Sequence, residues 1–352
     1  MKDKILFIGP LNFGNQPLGG DQFKNNLLLN SLIDLYSVKS IDTYNIYRNP
    51  IKLCVLFYFL FIKNFDRIIL SASTISSIKL LSVIKISKKK SEKTVYWVIG
   101  GELPEVLRHN SRLISLLNGF KKIGVQTVNM CNELFELGLH NVCTTPNFKN
   151  FSLNSLGLRT ENFIFQKNEY LRIVFISRIS PLKGVDVIMN LMEQKSGLER
   201  FGKVKIDFFG PIEDDYKDIF LGELDKYENL TYRGYLKFSE DIDGKYDLLH
   251  NQYDVFLFPT RWPSEGFPGV LIDAMCSGLA TIATDWNYNN EVIQNGVNGL
   301  LLENGTFAEI IDAINFYQLN SDLLYAHRLN ALKMADKFHM SNNMQFYIAS
   351  LN

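Results

Sequence analysis

The sequence predicts an α/β protein built from two doubly wound domains in tandem, each with a parallel sheet. Three observations lead to this prediction. The chain has 352 residues, enough for two domains of roughly 100–200 residues each. Short β-rich runs alternate with helical stretches over nearly the whole length, as in parallel doubly wound sheets. Several of these runs are apolar without alternation, which is typical of strands covered by helices on both faces.

The first alternation covers residues 1–150 and predicts the first domain. Runs at 5–8, 38–43, 67–70, 95–99 and 124–128 predict strands, and those at 21–35, 50–62, 75–86, 104–117 and 131–137 predict helices. Residues 145–147, Thr-Pro-Asn, end this block. Residues 151–170 are polar and weakly periodic, so we expect a linker with a loop.

The second alternation covers residues 171–335 and predicts the second domain. Runs at 171–176, 205–209, 230–232, 255–258, 280–283 and 299–302 predict strands, and those at 185–192, 216–227, 240–249, 270–277 and 307–317 predict helices. We expect residues 336–352 to form a C-terminal helix that packs back on the first domain. Ligands of doubly wound sheets bind beyond the carboxyl ends of the strands, so two such sheets facing each other predict a cleft.

The composition disfavours several classes of function. Lysine plus arginine and aspartate plus glutamate both number 37, and this zero formal charge argues against a nucleic-acid-binding protein. The four cysteines form no CxxC pair and have no histidine at metal-ligand spacing, so we expect neither a disulfide framework nor a metal site. No secretory pattern precedes the first strand-like run, and we expect a cytoplasmic protein.

One apolar run, residues 53–62, is too short to cross a bilayer, which takes about 20 residues. It predicts either a buried helix or a helix that lies in a membrane surface. The lysines that follow form either a solvated loop or a surface that rests on an anionic membrane, at about 1 kcal/mol per lysine. In the membrane interpretation the protein is peripheral on the inner face of the cell membrane. These lysines are Lys79, Lys85, Lys88, Lys89, Lys90 and Lys93.

Two cations follow the first strand of the second domain. Residues 177–184 lead from a predicted strand to a predicted helix and contain Arg178 and Lys183. A guanidinium forms forked hydrogen bonds with phosphate oxygens, and an ammonium supplies a point charge. Together they can neutralise a diphosphate leaving group without a metal ion. The alternative is an ordinary turn with solvated cations.

A Gly/Pro-rich loop with two carboxylates follows the predicted strand at 255–258. Glu265 lies in the loop, and Asp273, eight positions later, lies about one turn inside the next helix. Alone, each acid is explained as a solvated loop residue or a first-turn residue, but the pair together with the loop favours a functional site. The helix N-terminus and the loop amides favour an anion or sugar hydroxyls. These amides belong to Gly266, Phe267, Gly269 and Val270.

Two further segments are less specific. Residues 285–291 and 295–299 supply polar side chains near the same sheet edge, although a capped helix and a turn explain them nearly as well. In the first domain, glycines lie between the first strand and the first helix, where backbone amides can approach a phosphate. This loop matches neither GxGxxG nor a P-loop, and a plain turn is an equal explanation. The glycines are Gly9, Gly14, Gly19 and Gly20.

With these residues in place, the chain resembles glycosyltransferase family 4. The family's signature is a glutamate, seven residues and a second glutamate, and here it runs from Glu265 to Asp273 with the second acid shortened. The sequence EGFPGVL at 265–271, before an Ala-Met-x-x-Gly helix, and the cations Arg178 and Lys183 also match. The resemblance implies a GT-B fold, two Rossmann-like domains facing each other across a cleft, and a retaining, metal-independent transfer. It also implies that the first domain, residues 1–150, binds the acceptor and that the second, residues 171–335, binds the nucleotide-sugar donor.

The resemblance also implies a role for each residue. Arg178 and Lys183 would hold the donor's diphosphate, and Glu265 would face the donor sugar. Asp273 would bind the ribose hydroxyls, directly or through a water molecule because its side chain is short. Further donor contacts are expected from the glycine loop, the nucleobase pocket and the second loop: Gly19, Gly20, Tyr235, Leu236, Gly266, Phe267, Gly269 and Val270.

One position departs from the family's pattern. Many members carry a histidine after the fourth strand of the first domain, where this chain reads Ile99-Gly100-Gly101-Glu102. Glu102 and His109 are the candidates to replace it as a base or as an acceptor contact. A retaining transfer also proceeds without an enzymic base, because the departing phosphate can accept the proton while the protein stabilises charge.

The resemblance implies an enzyme, a hexosyltransferase that moves a hexose or N-acetylhexosamine from a UDP-sugar to a sugar acceptor. It further implies a lipid-linked acceptor in the synthesis of capsule, exopolysaccharide or O-antigen. The alternatives are a sugar-nucleotide epimerase or phosphorylase and a non-catalytic relative that binds a partner enzyme. The absence of GxGxxG disfavours a dehydrogenase. A glycosidase needs two carboxylates across one bond, whereas Glu265 and Asp273 fit different parts of one donor molecule.

Overall fold

The computed structural model describes residues 2–11, 19–164, 168–193, 203–236 and 241–352. The chain divides into two compact units, which we call the N-terminal unit (Met1–Asn150 with Met340–Asn352) and the C-terminal unit (Phe151–His339). Each unit contains a six-stranded sheet in which the paired strands run parallel. The predicted class, two doubly wound α/β domains, is therefore confirmed.

In the N-terminal unit, strands and helices alternate along the chain, as the sequence predicts. The strands are β1 (Lys4–Gly9), β2 (Ser37–Asp42), β3 (Arg67–Ser73), β4 (Thr94–Ile99), β5 (Lys122–Val125) and β6 (Val142–Thr144). The helices are α1 (Gly20–Leu35), α2 (Pro50–Phe57), α3 (Thr74–Lys85), α4 (Lys88–Ser91), α5 (Leu103–His109), α6 (Ser111–Leu117) and α7 (Val128–Glu136). The strand order is β2-β1-β3-β4-β5-β6. A wider helical turn, Tyr58–Ile62, continues α2.

The C-terminal unit has the same kind of alternation. The strands are β7 (Leu171–Ile176), β8 (Val204–Phe209), β9 (Leu230–Tyr232), β10 (Val255–Phe258), β11 (Ala280–Thr284) and β12 (Gly299–Leu302). The helices are α8 (Leu153–Glu161), α9 (Val185–Glu193), α10 (Lys217–Leu224), α11 (Ile242–Gln252), α12 (Gly269–Cys276), α13 (Phe307–Leu319) and α14 (Ser321–Ala335). The strand order is β12-β11-β10-β7-β8-β9, with hydrophobic clusters on both faces of the sheet.

The last helix, α15 (Met340–Leu351), belongs to the N-terminal unit. Tyr347 on this helix is fully buried and donates hydrogen bonds to the carbonyls of Thr145 and Pro146, both at 2.9 Å. The ring of Trp97 on β4 packs edge-on against Tyr347 with 5.0 Å between the centroids. The end of the chain therefore completes the core of the first unit.

The segment predicted as a linker, residues 151–170, contains the helix α8 in place of a continuous loop, and residues 165–167 lie outside the described residues. Ser152 caps this helix, because its Oγ accepts a hydrogen bond from the backbone N–H of Ser155 at 3.1 Å. Leu156 is 5% exposed, and the guanidinium of Arg159 donates to Asp247 at 2.7 Å. The buried face thus includes an arginine, which is why hydrophobic periodicity did not reveal the helix.

Smaller differences concern element boundaries. The predicted helix 104–117 is two helices, α5 and α6, that meet at Asn110, whose φ is −145°. The predicted strand 124–128 ends at Val125, because Thr127 caps α7 by accepting a hydrogen bond from the N–H of Met130 at 3.2 Å. The sequence did not predict β6 or α14.

Candidate functional site

Two loops meet at the carboxyl edge of the second sheet. They follow β7 and β10, which are neighbouring parallel strands, and so they leave the sheet side by side. The backbone N–H of Arg261 donates to the carbonyl of Leu182 at 2.8 Å, which joins the two loops directly. Arg261 also pairs with Asp186 at the start of α9, at 2.7 Å. This edge is where ligands of doubly wound sheets bind.

A glycine allows these loops to approach so closely. Gly184 has a φ of +85°, in the left-handed region that side chains other than glycine rarely adopt. A Cβ placed on it would lie 2.3 Å from the carbonyl oxygen of Pro259. The preceding residue is Lys183, so the position of this lysine depends on the absence of a side chain at Gly184.

Lys183 and Glu265 form an ion pair between the ammonium and Oε2. Each side chain is only 12% exposed. Thr260, which is fully buried, donates its hydroxyl to the same Oε2 at 3.1 Å. The carboxylate is therefore fixed from two sides, and in this state the lysine and glutamate charges neutralise each other.

Arg178 reaches the same place through an aromatic ring. Its guanidinium carbon lies 5.4 Å from the ring centroid of Trp262, and the ammonium of Lys183 lies 5.2 Å from that centroid. Both distances fit cation–π contacts. Arg178 is 52% exposed and has a weak ion pair with Glu213 at 3.6 Å. The structure thus brings Arg178, Lys183 and Glu265 together, and the guanidinium stays open to a ligand.

The segment 285–291 fixes the backbone of the glutamate loop. Trp286 donates its ring N–H to the carbonyl of Trp262 at 2.8 Å. Asn287, at a φ of +50°, donates its side-chain amide to the carbonyl of Glu265 at 2.8 Å and to that of Pro263 at 3.2 Å. These polar side chains support the site through its backbone, which the sequence alone left open.

The predicted amide groups lie where the glutamate loop enters α12. The helix begins at Gly269, and Pro268 before it offers no side-chain cap, so the first-turn N–H groups keep their preference for an anion. Gly266 and Val270 flank this turn. The side chain of Phe267 is 7% exposed and packs against Phe338 in the core. Phe267 therefore has only its backbone to offer a ligand.

Asp273 is 3% exposed and lies in the interior of α12. The hydroxyl of Tyr246 on α11 donates to its Oδ1 at 2.8 Å. Burial raises the pKa of Tyr246 well above its usual value, and the nearby Asp273 charge raises it further. The shortened acid is thus held by a tyrosine in the core, and a contact with ribose requires a ligand to reach it there.

The predicted nucleobase residues follow β9. Gly234 has a φ of +78°, and Tyr235 is 54% exposed. Leu236 lines a cavity of about 620 Å³, together with Arg233 and Phe209. Of the two predicted residues, only Leu236 lines this cavity.

The glycine loop of the N-terminal unit is described only at its ends. Gly20 begins α1, and Gly19 before it is extended with a φ of −144°. Both are exposed. Gly14 lies outside the described residues, so the approach of this loop to a phosphate stays a prediction.

The two candidates for the missing histidine lie at opposite ends of one helix. Glu102 precedes α5, and its Oε2 is buried. His109 ends α5 with a side chain that is 75% exposed, and its Nδ1 is 3.0 Å from the carbonyl of Glu105. Seven residues of helix separate them by about 10 Å. The structure therefore does not bring Glu102 and His109 together.

The described residues contain neither a candidate metal cluster nor a candidate membrane-spanning helix. No group of three or more histidine, cysteine, aspartate or glutamate side chains there is arranged to hold a metal ion. None of the described helices combines the length and the apolar character that crossing a membrane requires.

The sequence missed several residues that shape the site. Thr260 and Trp262 stand inside the recognised loop, and their position between β10 and Glu265 was the available signal. Tyr246 comes from another segment, and no local pattern points to it. Asn287 lies in the segment 285–291, whose contribution the sequence left open. They act through hydrogen bonds to Asp273 and to the loop backbone.

Part of the chain matches a known protein family. Residues 170–318 match the family model described as "Glycosyl transferases group 1". An uncharacterized 41.2 kDa protein in the cps region of Klebsiella pneumoniae is 27% identical over 176 residues, which is 48% of this chain. The chain spans 44% of the length of this curated relative.

Three solved structures share the fold over nearly the whole chain. Alr3699/HepE of Anabaena, in complex with UDP and glucose, has a TM-score of 0.71 at 17% identity, with 99% of both chains covered. The lipopolysaccharide outer core galactosyltransferase WaaB has a TM-score of 0.67 at 14% identity and the same coverage. Sucrose-phosphate synthase of Thermosynechococcus elongatus has a TM-score of 0.73 at 12% identity, covering 99% of this chain and 98% of that one.

These likenesses confirm the predicted GT-B fold. The family-model match covers β7 to α13, which includes Arg178, Lys183, Glu265 and Asp273. This stretch is therefore similar to group 1 glycosyl transferases.

Proposed function

We propose that the protein is a retaining, family 4 enzyme that moves a hexose or N-acetylhexosamine from a UDP-sugar to a sugar acceptor. The observation that carries the proposal is the ion pair of Lys183 with Glu265, with Arg178 beside the same tryptophan ring. A nucleotide sugar presents a diphosphate next to a ring of hydroxyls. Two cations and one carboxylate at the carboxyl edge of the sheet complement both parts.

Donor binding would exchange the partners of this pair. The diphosphate attracts the ammonium of Lys183 and the exposed guanidinium of Arg178. Glu265 then accepts hydrogen bonds from hydroxyls of the donor sugar, while Thr260 continues to orient the carboxylate. The internal ion pair therefore keeps both charges neutralised until substrate takes its place, because an unpaired buried charge is costly.

The same groups act in the transfer step. As the bond between the sugar's anomeric carbon and the diphosphate breaks, Arg178 and Lys183 stabilise the negative charge on UDP. Glu265 stabilises the positive charge that develops on the sugar ring. The acceptor oxygen attacks from the face that UDP leaves, and a phosphate oxygen takes its proton, so configuration is retained without an enzymic base. Charge stabilisation of this kind is usually the largest catalytic term.

The relatives support a UDP-hexose donor and a cell-surface product. Alr3699/HepE was solved with UDP-glucose as well as with UDP, and WaaB is a galactosyltransferase. The Klebsiella relative lies in a cps region, which supports a role in capsule or related polysaccharide synthesis with a lipid-linked acceptor.

A calorimetric screen with UDP, GDP, ADP and their sugars tests the donor class. We expect UDP and one UDP-hexose to bind, and to stabilise the fold by about 2.7 kcal/mol at a hundredfold excess over Kd.

An activity assay tests the transfer reaction. UDP release should depend on a sugar acceptor, such as an octyl glycoside, and should survive EDTA. NMR of the product should show an α-linkage from an α-linked donor. A strict need for a divalent metal, or no nucleotide binding, would contradict the proposal.

The N-terminal unit supports contact with an anionic membrane. Apolar side chains of α2 and the turn that continues it are exposed: Ile51 by 74%, Phe57 by 44%, Phe61 by 40% and Ile62 by 68%. The basic segment 88–93 lies beside this patch, because Lys90 donates to the carbonyl of the residue that follows Ile62, at 3.0 Å. Apolar side chains can insert into a membrane surface while neighbouring lysines bind its anionic headgroups. Lipid-linked acceptors lie at such a surface.

Vesicle sedimentation tests this contact. The wild type should bind vesicles with anionic lipid more strongly than neutral ones, and less at high salt. Ile62→Asp should weaken binding, since it places a charge in the apolar patch. Ile219→Asp is the matched control, because Ile219 is 58% exposed on the C-terminal unit. Equal loss in both variants would argue against a membrane-facing patch.

A further inference from the structure

Arg261 ties the loop after β10 to the loop after β7 at several points. Its side-chain Nη2 donates to both carboxylate oxygens of Asp186, at 2.8 and 2.7 Å, and to the carbonyl of Pro181 at 3.3 Å. Its backbone N–H donates to the carbonyl of Leu182 at 2.8 Å. These bonds reach residues on both sides of Lys183, so one arginine holds the turn that carries the lysine.

The turn around Lys183 is short and closed by its own backbone. The N–H of Gly184 donates to the carbonyl of Pro181 at 2.8 Å. Asp186 follows as the second residue of α9. The helix dipole alone favours an acid at this position, but here the carboxylate also faces the guanidinium of Arg261. The lysine therefore belongs to a small unit that is anchored to the neighbouring loop at both of its ends.

The exposure of the Arg261–Asp186 pair indicates that its main effect is not on stability. The two side chains are 34% and 37% exposed, and ion pairs so open to solvent contribute little to folding. Positioning is more demanding, because a displacement of about 1 Å in an active site can lower the rate about 10²-fold. A pair that brackets Lys183 therefore matters more for catalysis than for the fold.

Two ion pairs join these loops in the described part of the chain. One is Lys183 with Glu265, and the other is Arg261 with Asp186. In the proposed function the donor's diphosphate draws Lys183 away from Glu265, so the first ion pair is lost when substrate binds. The second lies outside that exchange and persists. It then keeps the two loops in register while the lysine contacts the diphosphate and the glutamate contacts the sugar.

We propose that Arg261 and Asp186 are positioning residues that hold Lys183 opposite Glu265 once the donor has separated their charges. Both act through the turn at 181–184, and neither contacts the substrate. This inference rests on the proposed function, since a donor with a diphosphate is what separates the charges. A direct role, in which Arg261 leaves Asp186 to become a third cation on the diphosphate, predicts different results in the experiments below.

Steady-state kinetics of Asp186→Asn, Arg261→Met and the double variant test the pair, with UDP-glucose and UDP-galactose as donors and octyl β-glucoside as acceptor. We expect kcat/KM for the donor to fall about tenfold or more in each single variant, with part of the loss in kcat. The double variant should lie within about threefold of the weaker single variant, because the two residues act as one unit. Asp186→Glu keeps the carboxylate and should recover most of the activity.

Lys226→Met is the matched control. It removes an ion pair with Glu223 on the same unit, at a side chain that is 55% exposed, and should leave the kinetics unchanged. Activity like that of the wild type in both Asp186→Asn and Arg261→Met would overturn the proposal.

Calorimetry with UDP separates positioning from direct contact. If Arg261 acts through the turn, Asp186→Asn and Arg261→Met should both weaken UDP binding, by a similar factor of about two to ten. If Arg261 binds the diphosphate, Asp186→Asn frees the guanidinium and should tighten UDP binding, while Arg261→Met weakens it. Opposite responses of the two variants would overturn the proposal.

Urea unfolding without ligand gives a readout that needs no activity. In Glu265→Gln the first ion pair is already broken, so Arg261→Met should lower the unfolding midpoint more in that background than in the wild type. Equal shifts in both backgrounds would show that the two ion pairs do not share the task of joining the loops. If the wild type binds no nucleotide, the proposed function fails, but this unfolding comparison still reports on the Arg261–Asp186 pair.

Discussion

Some buried charged groups of the two units differ in whether they have a partner. In the C-terminal unit, Asp254 pairs with both Arg172 and Arg328 at 2.8 Å, and Lys183 pairs with Glu265. In the N-terminal unit, Lys24 on α1 is 6% exposed, and the described residues give its ammonium no hydrogen bond or ion pair. Among the described residues, its ammonium lies near two aromatic rings, the nearer at 5.3 Å. Glu102 likewise has one buried carboxylate oxygen, Oε2, without a hydrogen-bond partner in the described part of the chain.

This difference illustrates two ways in which a folded protein can hold polar groups before a ligand binds. A paired site is stable without substrate and exchanges an internal partner for the ligand. An unpaired group destabilises the fold until something binds or a proton leaves. Substitutions at paired groups should therefore cost both activity and stability. Substitutions at unpaired groups should leave stability level or increase it.

The largest effect is expected at the paired site. Glu265→Gln keeps the shape of the side chain but removes the charge that faces the donor sugar. We expect kcat to fall about 10²–10³-fold, the cost of removing one preorganised electrostatic group. UDP release with an octyl glycoside acceptor measures it, and Glu303→Gln, an exposed acid of the same unit, is the control. A fall below tenfold would contradict the role of Glu265.

A double-mutant cycle sharpens this test. If Lys183 and Glu265 neutralise each other, Lys183→Met should destabilise the wild type more than it destabilises Glu265→Gln. The expected coupling is about 0.5–3 kcal/mol, measured by urea unfolding without ligand. Additive effects of the two substitutions on the unfolding free energy would show that the pair is not coupled in solution. That result would contradict the comparison between the units.

Lys24 is expected to give the next largest effect, through pH. Burial lowers its pKa from 10.5 to about 7. Between these values the unfolded chain binds the proton that the folded chain has lost, so stability should rise with pH by about 1.4 kcal/mol per unit. Lys24→Met removes this pH-dependent contribution to stability. The variant should be more stable than the wild type at pH 6, by a margin that shrinks from pH 7 to pH 9.

Urea unfolding at pH 6, 7, 8 and 9 measures the margin. Lys85→Met is the matched control, because Lys85 is exposed on α3. The difference in unfolding free energy between wild type and variant reports on Lys24 alone, because the other titrating groups are the same in both proteins. A margin that does not vary with pH would mean that Lys24 stays charged in the folded state and has a partner there.

Gly184→Ala should have a smaller effect on stability and should still displace Lys183. The φ of +85° strains any side chain, and the added Cβ would meet the carbonyl of Pro259. We expect a loss of about 1–3 kcal/mol in unfolding free energy. Gly222→Ala is the matched control, since Gly222 lies inside α10 with open space around it and should gain about 0.5–1 kcal/mol. Equal effects would show that the loop contact is not required.

The sequence predicted those features of the fold and of the site that depend on local patterns. Most strands and helices followed from local alternation and periodicity, and Arg178, Lys183 and Glu265 stood in short motifs next to predicted strands. The sheet then brought these motifs together, because β7 and β10 are neighbours in it. A local pattern thus sufficed wherever the fold placed one motif beside another.

Other features had no local pattern. The helix α8 presents a buried arginine, so its hydrophobic period was weak. Tyr246 reaches Asp273 from 27 positions away, and burial of that acid follows only from the packing of α11 on α12. In sequence, Thr74 is an ordinary residue at a helix N-terminus, and nothing local indicates that it is fully buried. Whether a polar group has a partner depends on distant residues, and a sequence does not give those distances.

The smallest effect is expected at Trp262, which lies against both Arg178 and Lys183. Replacing it with leucine removes two cation–π contacts worth about 1 kcal/mol together at a partly exposed site, so UDP should bind about fivefold more weakly. Trp262→Phe keeps a ring and should recover most of that affinity. Calorimetry with UDP measures both variants. The ring holds the cations in place before the diphosphate arrives, so the loss should appear mainly in Kd and little in kcat at saturating donor. Equal affinities for the leucine and phenylalanine variants would mean that the lysine and arginine are positioned by their carboxylate partners alone.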